Sequence, residues 1–185
     1  NGEIYNFKNL KNNLKEFKFY SNSDTEVLLN LFIKYKSKCL NMIEGMFSFA
    51  VYDNFKNELF CARDQFGIKP FYYYRFNNLF WFSSEIKSFF VVNQNIKKNE
   101  KSIIRYLNSE YHEHIEETYY KNIFKLKPGY YIIIRNSKII ENQFWSFHKN
   151  YKKTILPKEH NERKEYLKIL INESVKKSMV SDVPI

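Results

Sequence analysis

Asn1-Gly2-Glu3 sets a side-chain carboxamide, an unshielded backbone N–H and a carboxylate on consecutive residues. An Asn amide and a Gly N–H side by side can both point at one developing negative oxygen. Gly serves there because nothing projects from it to block a substrate. The same Asn-Gly pair is also a common tight turn, so three residues alone decide nothing. Asp24 is ambiguous in the same way. At the start of a capped helix its carboxylate gains about 0.3–1 kcal/mol from the helix N-terminus, which is a sufficient structural reason for it. The functional alternative is a carboxylate that pairs with a ligand ammonium at the end of a rigid element.

Other groups invite chemistry less strongly. Arg63-Asp64-x-x-Gly67-x-Lys69-Pro70 reads as a glycine-bearing turn with an ion pair, leading to a proline at a strand start. Ser83-Ser84-Glu85 reads as a strand end followed by a helix cap. Cys39 and Cys61 are neither at metal spacing nor beside a His, and are expected to be small buried hydrophobes. His112-x-His114 with Glu113, Glu116 and Glu117 has the composition of a metal cluster, but such pairs are usually loop residues, and no metal site is assigned.

The elements that must hold these residues follow from periodicity. Phe7, Leu10, Leu14 and Phe17 recur at helical spacing. In SDTEVLLNLFIKY a capping box, Ser23-x-x-Glu26, precedes an apolar stripe of Val27, Leu28, Leu31, Phe32 and Tyr35. The period then changes to that of strands. MFSFAVYDNFKNELFCARD reads as a hairpin about Asp53–Asn57, PFYYYRFNNLFWFSS as a second turning at Asn77-Asn78, and GYYIIIRNSKIIENQFW as a third. Short helices are expected over Glu85–Phe90 and Glu100–Leu107. Both alternating faces of Met46–Tyr52 and Tyr130–Ile134 are largely apolar, so both faces of their sheet should be covered. A charged stretch near Lys149–Lys158 precedes one more amphipathic helix, marked by Leu167, Leu170, Ile171, Val175 and Met179.

Composition excludes several classes. With 44% hydrophobic and 19% aromatic residues, the 185-residue chain is too apolar for disorder. No apolar run is long enough to span a membrane. The net charge of +10 is spread over Lys mixed with Asn, Ile, Phe and Tyr, without a block of like charges, and reads as solvated surface rather than a nucleic-acid site. The two cysteines fit a reducing, cytoplasmic setting.

Taken in order, NGEIYNF, SDTEVLL, GMFSFAVYD, ARDQFGIKPFYY, SSEIKSF, KLKPGYY and SDVPI resemble the glutamine-hydrolysing asparagine synthetase family over nearly the whole chain. The resemblance implies an α+β class II glutamine amidotransferase domain of the N-terminal-nucleophile type over residues 1–148, an αββα sandwich of antiparallel sheets. It implies a linker at 149–158 and, over 159–185, the first helix of an α/β ATP pyrophosphatase domain. It further implies that Asn1 and Gly2 form the oxyanion hole, and that Asn1, Gly2, Glu3 and Asp24 bind glutamine. The nucleophilic Cys is expected ahead of the NGE run, and the ATP and Mg²⁺ site after SDVP. The chain is thus expected to be a segment of a longer enzyme, inactive and poorly soluble alone. Its partners would be glutamine here and aspartate with ATP in the following domain, with no nucleic acid and no membrane; a homodimer is left open. Relatives of this family also amidate other carboxylates, such as sugar acids of surface polysaccharides. A different class of reading makes the aromatic hairpins an RNA platform, and requires Phe71–Tyr74 to alternate between solvent and core.

Overall fold

The computed structural model describes residues 1–76, 79–109, 115–136, 138–151 and 155–179. Its elements begin with β1 (Gly2–Ile4), α1 (Phe7–Asn12), α2 (Asp24–Tyr35), β2 (Gly45–Asp53) and β3 (Glu58–Arg63). There follow β4 (Tyr72–Phe76), β5 (Leu79–Ser83), α3 (Phe89–Val92), α4 (Glu100–Ser109) and β6 (Ile123–Lys125). The chain continues through β7 (Tyr130–Arg135), β8 (Lys138–Gln143), α5 (Phe147–Tyr151) and α6 (His160–Ser178). Two compact units form: Asn1–Gly2 with Met46–Phe144, and Glu3–Gly45 with Trp145–Ile185.

The first unit is built on antiparallel sheets. Strand order is β1-β2-β3-β7-β8 in one sheet and β5-β4-β6 in the other. The pairing of Ala50 with Cys61 and of Cys61 with Ile132 sets these side chains on one face of the larger sheet. That face packs on Phe71, Tyr73 and Leu126, joined by Phe80 and Phe124 from the smaller sheet. The two sheets therefore close face to face over a dry core, which is the main source of the unit's stability. On the other face of the smaller sheet, Tyr74 and Ile123 pack against Phe89 of α3, giving a helical cover. The second face of the larger sheet is apolar as well: Phe49, Phe60 and Tyr131 form a line of ring contacts at 6.0 and 5.1 Å. Both faces of β2, β3 and β7 are thus apolar, as the unbroken hydrophobic runs require.

The second unit is mainly helical. Ser23 caps α2, its hydroxyl accepting from Thr25 N–H at 3.1 Å. The rest of the expected capping box is displaced. Glu26 accepts from the N–H groups of Tyr20 and Ser21, at 2.8 and 2.7 Å, and from the Ser21 hydroxyl at 2.6 Å. It thereby ties down the approach to the helix. Val27, Leu28, Leu31 and Phe32 are buried from α2, as the stripe predicts. The helix ends where Lys36 turns to φ 52°, and a 3₁₀ segment, Lys36–Asn41, follows. Asn6 pins the return of the chain, donating to Met42 O at 2.9 Å and accepting from Glu44 N–H at 3.0 Å.

Several expectations are corrected. α1 stops at Asn12 rather than running on to Phe17. Asn12-Asn13 are poor helix residues that favour turns, and Leu14 reaches full burial from the turn that follows. The short β6 carries too few residues for a detectable period. Phe71, Tyr73 and Tyr74 are 4%, 7% and 2% exposed, so the alternation that an RNA platform requires is absent. The Asn77-Asn78 turn, His112-x-His114 and the SDVPI run lie outside the described residues.

Candidate active site

Asn1-Gly2 is not a turn. Asn1 pairs with Ser48 across the β1–β2 ladder: its N donates to Ser48 O at 3.0 Å, and Ser48 N–H donates to Asn1 O at 2.8 Å. An antiparallel ladder alternates bonded and non-bonded pairs, so the next residue, Gly2, points its N–H away from β2. β1 is the terminal strand of the described sheet, so that N–H lies on the outward side of β1, the side on which Ile4 N–H meets Asp24. Gly is required at this position. Its φ is +133°, and a Cβ there would lie 2.0 Å from Met46 O and 2.7 Å from Phe47 Cα. Glycine lets β1 approach β2 closely enough for Asn1 to pair, and leaves the outward side unobstructed.

The Asn1 carboxamide is held separately. Its Nδ2 donates to the hydroxyl of half-buried Ser84 at 3.2 Å, just beyond the end of β5. The backbone of Ser48 is itself braced, because its buried hydroxyl donates to Pro70 O at 2.9 Å.

The Arg63–Pro70 loop supplies that brace. Arg63 donates to three carbonyls: Lys69 O at 2.8 Å, Leu126 O at 2.8 Å and Gly67 O at 2.6 Å. Asp64 is 1% exposed and accepts from the N–H groups of Phe66, Ile68 and Lys69 at 2.9–3.0 Å. Gly67 has φ +67°, and a Cβ would lie 2.8 Å from Pro128. The motif is a glycine-bearing turn held by bonds from its charged side chains to the backbone, and it supports Asn1 through Pro70 and Ser48.

In the second unit, Glu3 is exposed and Asp24 is half-buried at the first position of α2. Asp24 Oδ2 accepts from Ile4 N–H at 2.9 Å, and Oδ1 accepts from the Thr25 hydroxyl at 3.3 Å. The carboxylate is therefore anchored on the residue that follows Glu3. Of the residues singled out from the sequence, Asn1 and Gly2 belong to the first unit and Glu3 and Asp24 to the second.

The cysteines are core residues. Cys39 and Cys61 are each 0% exposed. Burial disfavours their thiolates, pushing Cys39 up to about 12 and Cys61 upward as well. The described acids of the His112 region are engaged with cations: Glu116 meets Lys127 at 2.8 Å, and Glu117 lies 3.8 Å from Arg105. Sequence reasoning missed Ser48 as a support, since a serine inside a strand carries no signal. It read Ser83-Ser84-Glu85 as a strand end followed by a helix cap, with no distant partner. Only Ser83 acts locally, accepting from Glu85 N–H at 3.1 Å.

Two antiparallel sheets packed face to face, with a helix on the outer face of the smaller one, give an α+β fold. A solved glutamine phosphoribosylpyrophosphate amidotransferase from Bacillus subtilis shares this fold, with TM-score 0.58 and 22% identity over 78% of this chain and 28% of that one. Residues 1–145 match the glutamine amidotransferase domain family, and the chain belongs to that family. Asparagine synthetase (glutamine-hydrolysing) 1 of Bacillus subtilis strain 168 is 34% identical over 100% of this chain and 29% of its own length. Asparagine synthetase (glutamine-hydrolysing) 2 of the same strain is 33% identical over 100% of this chain and 26% of its own. The chain thus spans less than a third of the length of these curated relatives.

Proposed function

We propose that this chain is the glutamine-hydrolysing part of an enzyme that passes the released ammonia to aspartate, forming asparagine with ATP. The observation that carries the reading is the pair of donors at the start of β1: an Asn1 carboxamide bonded to Ser84 beside a Gly2 N–H directed away from β2.

The nucleophile in this proposal is a terminal Cys of the full-length protein, since the burial of Cys39 and Cys61 disqualifies both. Its thiolate attacks the glutamine carboxamide carbon, and the carbonyl electron pair moves onto oxygen. Asn1 Nδ2–H and Gly2 N–H donate to that oxyanion. When the pair returns, the C–N bond breaks and the nitrogen leaves as ammonia, having taken up the thiol proton. Water then cleaves the thioester to glutamate. Glu3 and Asp24 bind the amino-acid end of glutamine, Asp24 with its position fixed by Ile4 N–H.

ATP and Mg²⁺ belong to the synthetase part of the proposal. Among the described residues no group of His, Cys, Asp and Glu converges to hold a metal ion, and no step is assigned to either here. The linker at 149–158 and a synthetase region starting at 159 are part of the same proposal, as is a cytoplasmic location.

The test is an assay of the full-length protein with aspartate, ATP and either glutamine or ammonium. Asparagine should form with both donors, with glutamate released from glutamine. Glutamate release without aspartate consumption would move the acceptor to another carboxylate, such as a sugar acid. No glutamate release would overturn the reading of the site.

A further inference from the structure

Ser84 stands out because its contact with Asn1 is long-range and specific to a side chain. The preceding Ser83 spends its hydroxyl on neighbours, accepting from Glu85 N–H and meeting Ser88 Oγ at 3.0 Å. Ser84 instead receives the Asn1 Nδ2–H across 83 residues of sequence. A carboxamide nitrogen carries two hydrogens in one plane. With one bonded to Ser84 Oγ at 3.2 Å, rotation of the amide about its last torsion is restrained and the other hydrogen has a preferred direction. That torsion is otherwise broad, so an unrestrained amide would sample orientations that donate nothing to the substrate.

We infer that Ser84 is a positioning residue for glutamine hydrolysis: it orients the Asn1 carboxamide so that its second N–H and the Gly2 N–H address the same oxygen. The inference rests on the assignment of Asn1 to the oxyanion hole. Electrostatic stabilisation of this kind depends on donors fixed before the charge develops, and a hydroxyl that never touches substrate can supply that fixation. The backbone of Asn1 is already secured by Ser48, which leaves the side-chain torsion as the degree of freedom that Ser84 controls.

The test is a double-mutant cycle in the full-length protein, with Asn1→Ala, Ser84→Ala, the pair together, and Ser84→Thr. Glutamate release from glutamine gives kcat and KM for each. Ser84→Ala should lower kcat by about threefold to tenfold, the size of one modest hydrogen bond, with KM unchanged. Ser84→Thr should restore most of it, because the hydroxyl is kept. In the Asn1→Ala background the Ser84 change should cost nothing further, since the group it orients is gone. Equal losses in both backgrounds, or a Ser84→Ala effect confined to KM, would overturn the role of Ser84 while leaving the site standing. A wild-type kcat for Asn1→Ala would instead show that the oxyanion-hole assignment has failed.

Discussion

Replacing Gly2 with Ala tests the geometry of β1 most severely. The new Cβ would sit 2.0 Å from Met46 O and 2.7 Å from Phe47 Cα, and both are backbone atoms that no rotamer change can move. The residue would also be held at φ +133°, where an L side chain costs about 1–3 kcal/mol before any clash is counted. The alternative is for the start of β1 to leave β2. That gives up the two Asn1–Ser48 bonds, at 3.0 and 2.8 Å. With about 0.5–1.5 kcal/mol net for each, detachment costs about 1–3 kcal/mol and is cheaper than enduring the overlap. The fold should therefore survive while both oxyanion donors are lost from their places. Since one such donor is worth about 10²–10³ in kcat, Gly2→Ala should lower glutamate release by at least about 10². Circular dichroism and a glutaminase assay on the full-length variant make the check. A well-folded variant with near-normal kcat would refute the claim that close approach of β1 positions the donors.

Other outcomes are expected of the same arrangement. Asp24→Asn keeps an acceptor for Ile4 N–H but removes the charge that would meet the substrate ammonium. KM for glutamine should rise about tenfold to a hundredfold, as for loss of one charged hydrogen bond, with kcat little changed; a fall in kcat alone would contradict this. In the native 185-residue chain neither Cys39 nor Cys61 should react with a thiol reagent at pH 8, and both should react after unfolding. The same chain should release no ammonia from glutamine, and rapid native labelling would reopen its cysteines as nucleophiles. Glu26 is held below the ordinary carboxylate range, first by the Ser21 hydroxyl and then by Tyr20 N–H. Its stabilising contribution is present above the ordinary carboxylate value and is lost as pH falls through the lowered folded value. Melting of wild type and Glu26→Gln should therefore differ near neutrality and converge in acid, whereas a constant gap would count against the role of the charged carboxylate in holding Tyr20 and Ser21.

Long periodic segments were legible in the residues. The stripe from Val27 to Phe32 specified α2, and the unbroken apolar runs of β2, β3 and β7 specified a sheet apolar on both faces. Short elements were not legible, because β6 has only 3 residues and owes its pairing with β4 to tertiary packing. For the site, Asn1-Gly2 could be recognised as chemistry or as a turn, and sequence alone could not choose. The Ser48 pairing, a contact over 47 residues that no local pattern encodes, rules out the turn. Ser84 was hidden for a similar reason. A Ser-Ser-Glu run after a strand satisfies a local cap so well that a distant partner for one hydroxyl leaves no trace.

The central claim is that Asn1 works on glutamine and on nothing downstream. It is tested most directly by Asn1→Ala in the full-length protein, with glutamine-dependent and ammonium-dependent amidation measured side by side. Loss of one oxyanion donor should lower the glutamine-dependent kcat by about 10²–10³, while added ammonium, which bypasses the first site, should sustain amidation near the wild-type rate. Equal loss of both activities would make Asn1 a structural residue and contradict the account.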